Sequence, residues 1–177
     1  MPVMGRSDAM FCSSRCRTAA HRLLPAEQLR IVDRWVRFSS EKVPLTAVGG
    51  SASSTNSLTW CDYDTAAASS AGVGVGFVLS SADRIVCVDI DHCLDGRGRL
   101  RLWAQEILAA VPDTYMEVSP SGDGLHVWGF GDVVKGRRAG GVEIYGEGRY
   151  LTVTARRWRK CVTTFADLGE WIGMLPV

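Results

Sequence analysis

The clearest pattern along the chain is an apolar run that ends in two acids. Residues 85–91 read Ile-Val-Cys-Val-Asp-Ile-Asp, which is typical of a buried strand. Side chains two apart in a strand point to the same face, so Asp89 and Asp91 lie together, opposite the valines at 86 and 88. Solvent or a lysine is enough to satisfy such a pair, but hard oxygen ligands also suit Mg²⁺ or Mn²⁺. The pattern alone leaves both interpretations open.

Other apolar patterns predict that helices alternate with pairs of strands. A glycine-rich apolar segment at 72–79 is expected to pair in antiparallel fashion with the strand at 85–91, through a short polar turn. Two further hairpins are expected: 114–118 with 125–129, and 142–145 with 149–154. Four segments are read as helices: residues 25–38, 60–68, 102–110 and 163–175. At 177 residues, one domain is the natural expectation.

Composition and charge exclude little. The formal net charge is +1 and 46% of the residues are hydrophobic, which allows a buried core and neither requires nor excludes nucleic acid. Lysine and arginine occur in four clusters, at 15–22, 97–101, 135–138 and 156–160. The sequence has no apolar run of membrane-spanning length and no signal-peptide pattern. A cytoplasmic protein without membrane contact is therefore expected, with its six cysteines reduced.

Residues 1–24 are predicted to form a basic N-terminal arm with candidate zinc ligands. Cys12, Cys16 and His21 could lie on one side of a short helix, and thiolate and imidazole groups suit tetrahedral Zn²⁺. The pattern resembles the second half of a short zinc finger, without the earlier cysteine pair that would complete it. Three ligands are the most that the arm offers, so the alternative is a basic helix with two thiols.

A histidine and a third acid follow on later predicted strands. His126 comes directly after the turn at 119–124, which reads Ser-Pro-Ser-Gly-Asp-Gly and whose backbone N–H groups could receive phosphate oxygens. A lone histidine on a strand is more often structural, but this context favours a role in binding. Glu143 lies on the strand 142–145. Arg149 follows the next turn, where its planar guanidinium suits a phosphate.

Together, these residues fit the chemistry of phosphoryl transfer. Transfer to a 3′-hydroxyl uses two divalent ions that bridge carboxylates and the triphosphate. Three carboxylates are the usual minimum to hold the two ions, and positive side chains neutralise the remaining phosphate charge. Asp89, Asp91 and Glu143 supply the acids, and the basic clusters supply the positive charge.

The order and spacing of these motifs resemble the catalytic domain of primase-polymerases of the archaeo-eukaryotic primase superfamily, notably those of phages and mobile elements. The three motifs of that superfamily correspond to Asp89 and Asp91, to the segment 119–126 that ends in His126, and to Glu143. The similarity covers roughly residues 30–160. It implies that residues 25–177 form an α+β catalytic domain, with a mixed or antiparallel sheet that bears the acids and is flanked by helices.

The resemblance also implies a function and a role for each candidate residue. The function is template-directed nucleotidyl transfer, as a DNA primase/polymerase, in the DNA replication of a phage or mobile element. Its substrates would be a DNA template and nucleoside triphosphates, and a separately encoded helicase is a candidate partner. The resemblance implies that Mg²⁺ or Mn²⁺ is bound by Asp89, Asp91 and Glu143, and that His126 contacts the nucleotide phosphates. It implies further nucleotide contacts from Ser119, Ser121 and Arg149. It implies DNA contacts from Lys135, Arg137 and Arg138.

Two other functions fit part of the pattern. In a glycosyltransferase, an Asp-x-Asp pair holds Mn²⁺ and a nucleotide sugar, but His126, Glu143 and the basic clusters argue against that function. A non-catalytic, DNA-binding replication accessory could retain the same fold. The presence of the full set of acids favours an enzyme over such an accessory.

Overall fold

The strands form two antiparallel sheets. The structure is a computed structural model and describes residues 24–133 and 135–177. The first sheet has the order β2-β1-β3-β9 and consists of Trp35–Phe38 (β1), Pro44–Leu45 (β2), Gly74–Val78 (β3) and Tyr150–Val153 (β9). The second has the order β5-β6-β4-β8-β7 and consists of Ile85–Ile90 (β4), Met116–Val118 (β5), Leu125–Phe130 (β6), Arg137–Ala139 (β7) and Val142–Tyr145 (β8).

Short helices flank the sheets. The α-helices of the described residues are Glu27–Arg30 (α1), Tyr63–Ala68 (α2), Leu102–Leu108 (α3) and Gly169–Met174 (α4). Helices α3 and α4 pack on one face of the second sheet, where Leu108 and Trp171 join the apolar side chains of β4 in a buried cluster. The predicted fold class, α+β with an antiparallel sheet flanked by helices, is confirmed. In the described part of the chain, every helix is too short to cross a membrane.

Large aromatic side chains join the two sheets. Trp35 on β1, Phe77 on β3 and Trp128 on β6 are each 0% exposed and belong to one buried cluster. Their rings meet edge to face, with centroids 5.5 Å apart for Trp35 and Phe77 and 6.2 Å apart for Phe77 and Trp128. This cluster covers one end of the second sheet's inner face. The acids of β4 lie on the same face, beyond the cluster.

Two of the predicted strand pairings are wrong, because the chain crosses between the sheets. Strand β3 pairs with β1 and β9, not with β4. Its Gly76 lies under the ring of Tyr150, where a Cβ atom would come within 2.5 Å, so the glycine accommodates the close approach of β9. Strands β8 and β9 are likewise in different sheets. The predicted hairpin of 114–118 with 125–129 is confirmed as β5 and β6.

Helix predictions failed where burial on both sides favours a strand. The helix predicted at 25–38 ends at Arg30, and Trp35–Phe38 is β1. Three consecutive side chains of β1, those at 35, 36 and 37, are buried, as in a strand covered on both faces. The helices predicted at 60–68 and 102–110 are confirmed with shorter bounds. The one predicted at 163–175 is limited to α4.

Candidate active site

Five polar side chains form a row across the second sheet. The register places Glu117 opposite His126, His126 opposite Asp89, Asp89 opposite Glu143, and Glu143 opposite Arg138. Directly opposed residues of antiparallel strands project to the same face, so the row runs acid, imidazole, acid, acid, guanidinium. Three of the predicted catalytic residues, Asp89, His126 and Glu143, are therefore neighbours on one face.

Asp89 carries an unsatisfied buried oxygen. Its Oδ1 lies 3.6 Å from Nε2 of His126, beyond hydrogen-bond distance, and has no hydrogen-bond partner among the described residues. Burial raises the pKa of Asp89, and the charges of Asp91 and Glu143 raise it further, against the opposing effect of His126. A buried carboxylate oxygen of this kind is suited to bind a cation.

Glu143 is already held by two other groups. Its Oε1 forms a salt bridge with Arg138, whose Nε lies 2.6 Å away, and its Oε2 accepts a hydrogen bond from the hydroxyl of Tyr145. Burial, together with the hydrogen bond to Glu143, raises the pKa of Tyr145 to about 12, so this hydroxyl stays protonated. Within residues 24–133 and 135–177, no group of three His, Cys, Asp or Glu side chains is arranged to hold a metal ion. Glu143 would have to leave these partners to join Asp89 in binding one.

A cavity of about 470 Å³ opens beside the row, between β9 of the first sheet and the acid-bearing face of the second. Its lining includes most of the residues predicted to bind the metal or the nucleotide: Asp89, Asp91, Ser119, Ser121, His126 and Arg149. Glu143 is not part of this lining. Lys42, His92 and Tyr145 also line the cavity, and the sequence analysis assigned them no role. The guanidinium of Arg149 lies over the Tyr145 ring, 5.4 Å from its centroid.

The serine-glycine turn is connected to the end of β4 by a chain of hydrogen bonds. The hydroxyls of Ser119 and Ser121 lie 2.9 Å apart, and that of Ser121 donates to Oδ1 of Asp123 at 2.6 Å. Oδ2 of Asp123 in turn lies 2.6 Å from Nδ1 of His92, the residue after Asp91. This chain holds the turn beside the acids, as a loop that receives a phosphate would require.

Glu117 is the main site residue that the sequence analysis missed. Its side chain is 0% exposed, and Oε1 lies 3.3 Å from Nδ1 of His126. Burial by itself lowers the pKa of His126, but the hydrogen bond to Glu117 and the charges of Asp89 and Glu117 outweigh burial, and the net shift is upward. The sequence did carry a signal, because the predicted hairpin of 114–118 with 125–129 places an acid on a strand next to that of the histidine.

The predicted DNA-binding residues are not part of the cavity lining. Arg137 donates to the backbone oxygen of Ile172 at 3.1 Å, and Arg138 is paired with Glu143. Lys135 is exposed and lines a different, shallow surface. The candidate zinc ligands Cys12, Cys16 and His21 lie outside the described residues, so both the zinc site and the basic arm at 1–24 stay predictions.

A second concave surface is lined by arginines. It encloses about 780 Å³, and we call it the arginine groove; its charged lining consists of Arg30, Arg156, Arg157, Arg159 and Glu27. The groove borders the cavity, because the guanidinium of Arg156 donates to the backbone oxygen of Ser119. In the described part of the chain, none of these arginines forms a salt bridge.

The fold, an antiparallel sheet that bears acids beside a histidine, is compatible with the catalytic core of the primase-polymerase class. Comparison with curated proteins agrees. In an alignment of 132 residues that covers 68% of the chain, the chain is 39% identical to the DNA primase-polymerase of Nitratiruptor phage NrS-1. The matched region belongs to the phage primase-polymerase family. It spans only 18% of the length of that relative. No family model matches the chain.

Proposed function

We propose that this chain is a nucleotidyl-transfer domain that extends DNA on a template, in the replication of a phage or mobile element. The observation that carries the proposal is the row of His126, Asp89 and Glu143 beside a cavity that also contains Asp91 and Arg149. The name of the phage relative supports it. A separately encoded helicase and a cytoplasmic location stay predictions.

Mg²⁺ or Mn²⁺ fits the donor groups of this site. Asp89 and Asp91 would hold the ions, with Glu143 as a third ligand once it leaves Arg138 and Tyr145. The unsatisfied Oδ1 of Asp89 supports this assignment. When bound, a pair of such ions would lower the pKa of the attacking 3′-hydroxyl and stabilise the departing pyrophosphate.

The other cavity residues would bind and orient the triphosphate. His126 directs Nε2 toward the acids, and Lys42 and Arg149 bring positive charge to the same cavity. Backbone N–H groups of the turn at 119–124 would receive phosphate oxygens. These groups neutralise negative charge that the carboxylates would otherwise repel.

The arginine groove is a better candidate for the DNA backbone than the residues predicted from the sequence. Arg137 and Arg138 already have partners, whereas Arg157 and Arg159 are exposed and have no carboxylate partner in the described residues. The groove also leads to Ser119 at the edge of the cavity. A single strand bound along these arginines would approach the nucleotide site from the β5 side.

The proposal is tested by extension of a labelled primer on a template, with dNTPs and either Mg²⁺ or Mn²⁺. We expect the wild type to extend the primer, and Asp89→Asn or Asp91→Asn to lose at least about 100-fold in rate. Asp95→Asn is the matched control, because Asp95 lies nearby but pairs with Arg99 outside the cavity.

Each other outcome points to a different function. DNA binding without incorporation under either metal would favour the accessory function. Turnover of a nucleotide sugar would favour a glycosyltransferase. Extension that survives loss of both Asp89 and Asp91 would refute the proposed mechanism.

A further inference from the structure

Glu117 is a buried acid with an unusually complete set of partners. Its Oε1 faces Nδ1 of His126 at 3.3 Å and accepts a hydrogen bond from Nε1 of Trp128 at 3.4 Å. Its Oε2 accepts from the backbone N–H of Ala155 at 2.8 Å and from the hydroxyl of Tyr115 at 3.1 Å. A carboxylate is expensive to bury even when it is satisfied, so an apolar side chain would fill this position at lower cost.

Part of this arrangement serves the fold. Ala155 has a φ of 54°, a left-handed conformation that is uncommon for residues other than glycine, and its N–H is fixed by Glu117. Trp128 and Tyr115 are buried, and their polar atoms need a partner. A neutral acceptor could satisfy these three donors equally well. The contact with His126 is the one that a purely structural role does not explain.

The two nitrogens of His126 face two different carboxylates. An ionised carboxylate only accepts hydrogen bonds, so a hydrogen bond between Nδ1 and ionised Glu117 requires the proton to be on Nδ1. The ring is thereby held with Nε2 directed toward Asp89 and the cavity. Carboxylates behind catalytic or metal-binding histidines fix ring orientation and tautomer in this way.

We propose that Glu117 is the positioning residue for His126: it fixes the proton on Nδ1 and directs Nε2 into the cavity, where the nucleotide phosphates would lie. The inference rests on the proposed function for the identity of the phosphate ligand. The orientation of the ring does not depend on that function. Glu117 itself is not a catalytic residue, because His126 separates it from the cavity and its side chain has no exposed surface.

The orientation is tested first without any substrate. The chain has three histidines, His21, His92 and His126, so ¹⁵N-histidine labelling gives few signals, and His126→Asn assigns the one of interest. We expect Nδ1 of His126 to be protonated in the wild type. In Glu117→Gln, the acceptor is neutral, and we expect the Nδ1 signal to shift. An unprotonated Nδ1 in the wild type would overturn the proposal, and this measurement requires no variant to fold beyond the one used for assignment.

Kinetics then test whether Glu117 acts through His126. We expect Glu117→Gln to lower kcat by about 10–100-fold, the usual cost of losing such a supporting contact, with the KM for primer-template unchanged. In a His126→Asn background, Glu117→Gln should lower kcat little further, because the imidazole that Glu117 positions is already absent. Equal losses in both backgrounds would mean a structural role only and would overturn the proposal.

Tyr115→Phe is the matched control, because it removes another donor to the same carboxylate and leaves the His126 contact in place. We expect it to lower thermal stability while kcat stays within about threefold of the wild type. A loss of kcat as large as that of Glu117→Gln would contradict the proposal. If the wild type extends no primer, the proposed function fails, and the ¹⁵N spectrum still decides the role of Glu117.

Discussion

Glu143 lies directly opposite Asp89 across the β4–β8 pair, yet both of its oxygens are engaged by Arg138 and Tyr145. Like charges at directly opposed positions destabilise a sheet, and Arg138 offsets this repulsion. The guanidinium of Arg138 therefore competes with any metal ion for the carboxylate of Glu143.

Arg138→Gln should strengthen metal binding. Removal of the guanidinium frees one oxygen of Glu143 and increases the negative charge beside Asp89. Because Arg138 is largely exposed, its pairing is screened by solvent, and we expect the Kd for Mn²⁺ to fall by no more than about fivefold. Calorimetric titration of the nucleotide-free protein measures this change.

Arg137→Gln is the control, because Arg137 lies on the same strand but donates to Ile172, without contact to Glu143. Its Kd for Mn²⁺ should match that of the wild type. If Arg138→Gln binds Mn²⁺ no more tightly than the wild type and Arg137→Gln do, Glu143 is not a metal ligand.

Asp89→Asn should stabilise the metal-free protein while it abolishes activity. Burial raises the pKa of Asp89, so ionisation of this carboxylate opposes folding when no cation is bound. We expect the Tm at neutral pH to rise by a few degrees, and the further increase that Mn²⁺ gives to the wild type to disappear. Differential scanning calorimetry with and without Mn²⁺ measures both. A metal-free Tm below that of the wild type would contradict the burial argument.

The difference in stability between the wild type and Asp89→Asn should increase as the pH rises. Folded Asp89 keeps its proton to a higher pH than unfolded Asp89, so the folded wild type binds more protons in that range, and its stability falls as pH rises. Below the ordinary aspartate pKa of about 3.9, the two proteins should melt alike. Their Tm difference should then grow with pH and level off above the raised pKa. A constant difference across this range would exclude Asp89 as its source.

The sequence predicted the acid-bearing strand because burial imposes a local pattern. Val86, Val88 and Ile90 pack on one side of β4, so alternation alone placed Asp89 on the opposite face. The sheet to which a strand belongs is set by distant contacts, such as that of Gly76 with Tyr150. Local turn signals cannot contain this information, and for that reason two hairpins were predicted that do not exist.

The same limit explains what was missed at the site. The grouping of Asp89, Asp91 and His126 followed from motif order, whereas the pairing of Glu143 with Arg138 depends on the register of β7, which no motif marks. Lys42 reaches the cavity from a turn before β2, far along the sequence from the acids of the site. Glu117 differs from these, because the register of a correctly predicted hairpin already placed it beside His126.

Loss of two arginines from the groove should weaken DNA binding in a salt-dependent manner. Each phosphate contact contributes about 0.7 to the slope of log K against log salt for a single strand, so Arg157→Ala/Arg159→Ala should reduce the slope by about 1.4. Fluorescence anisotropy of a labelled single strand at several salt concentrations measures it. With saturating DNA, kcat should stay near that of the wild type, because neither arginine lines the nucleotide cavity.

The matched control is Arg97→Ala/Lys135→Ala, which removes two exposed positive charges that lie outside the groove. If binding depends only on net charge, both double variants should lose slope equally, and the groove has no special role. If the strand lies along the groove, the control keeps most of the wild-type slope. Lys135 is itself a predicted DNA contact. A larger loss of slope in the control would therefore indicate that the DNA binds on the β7 side of the molecule.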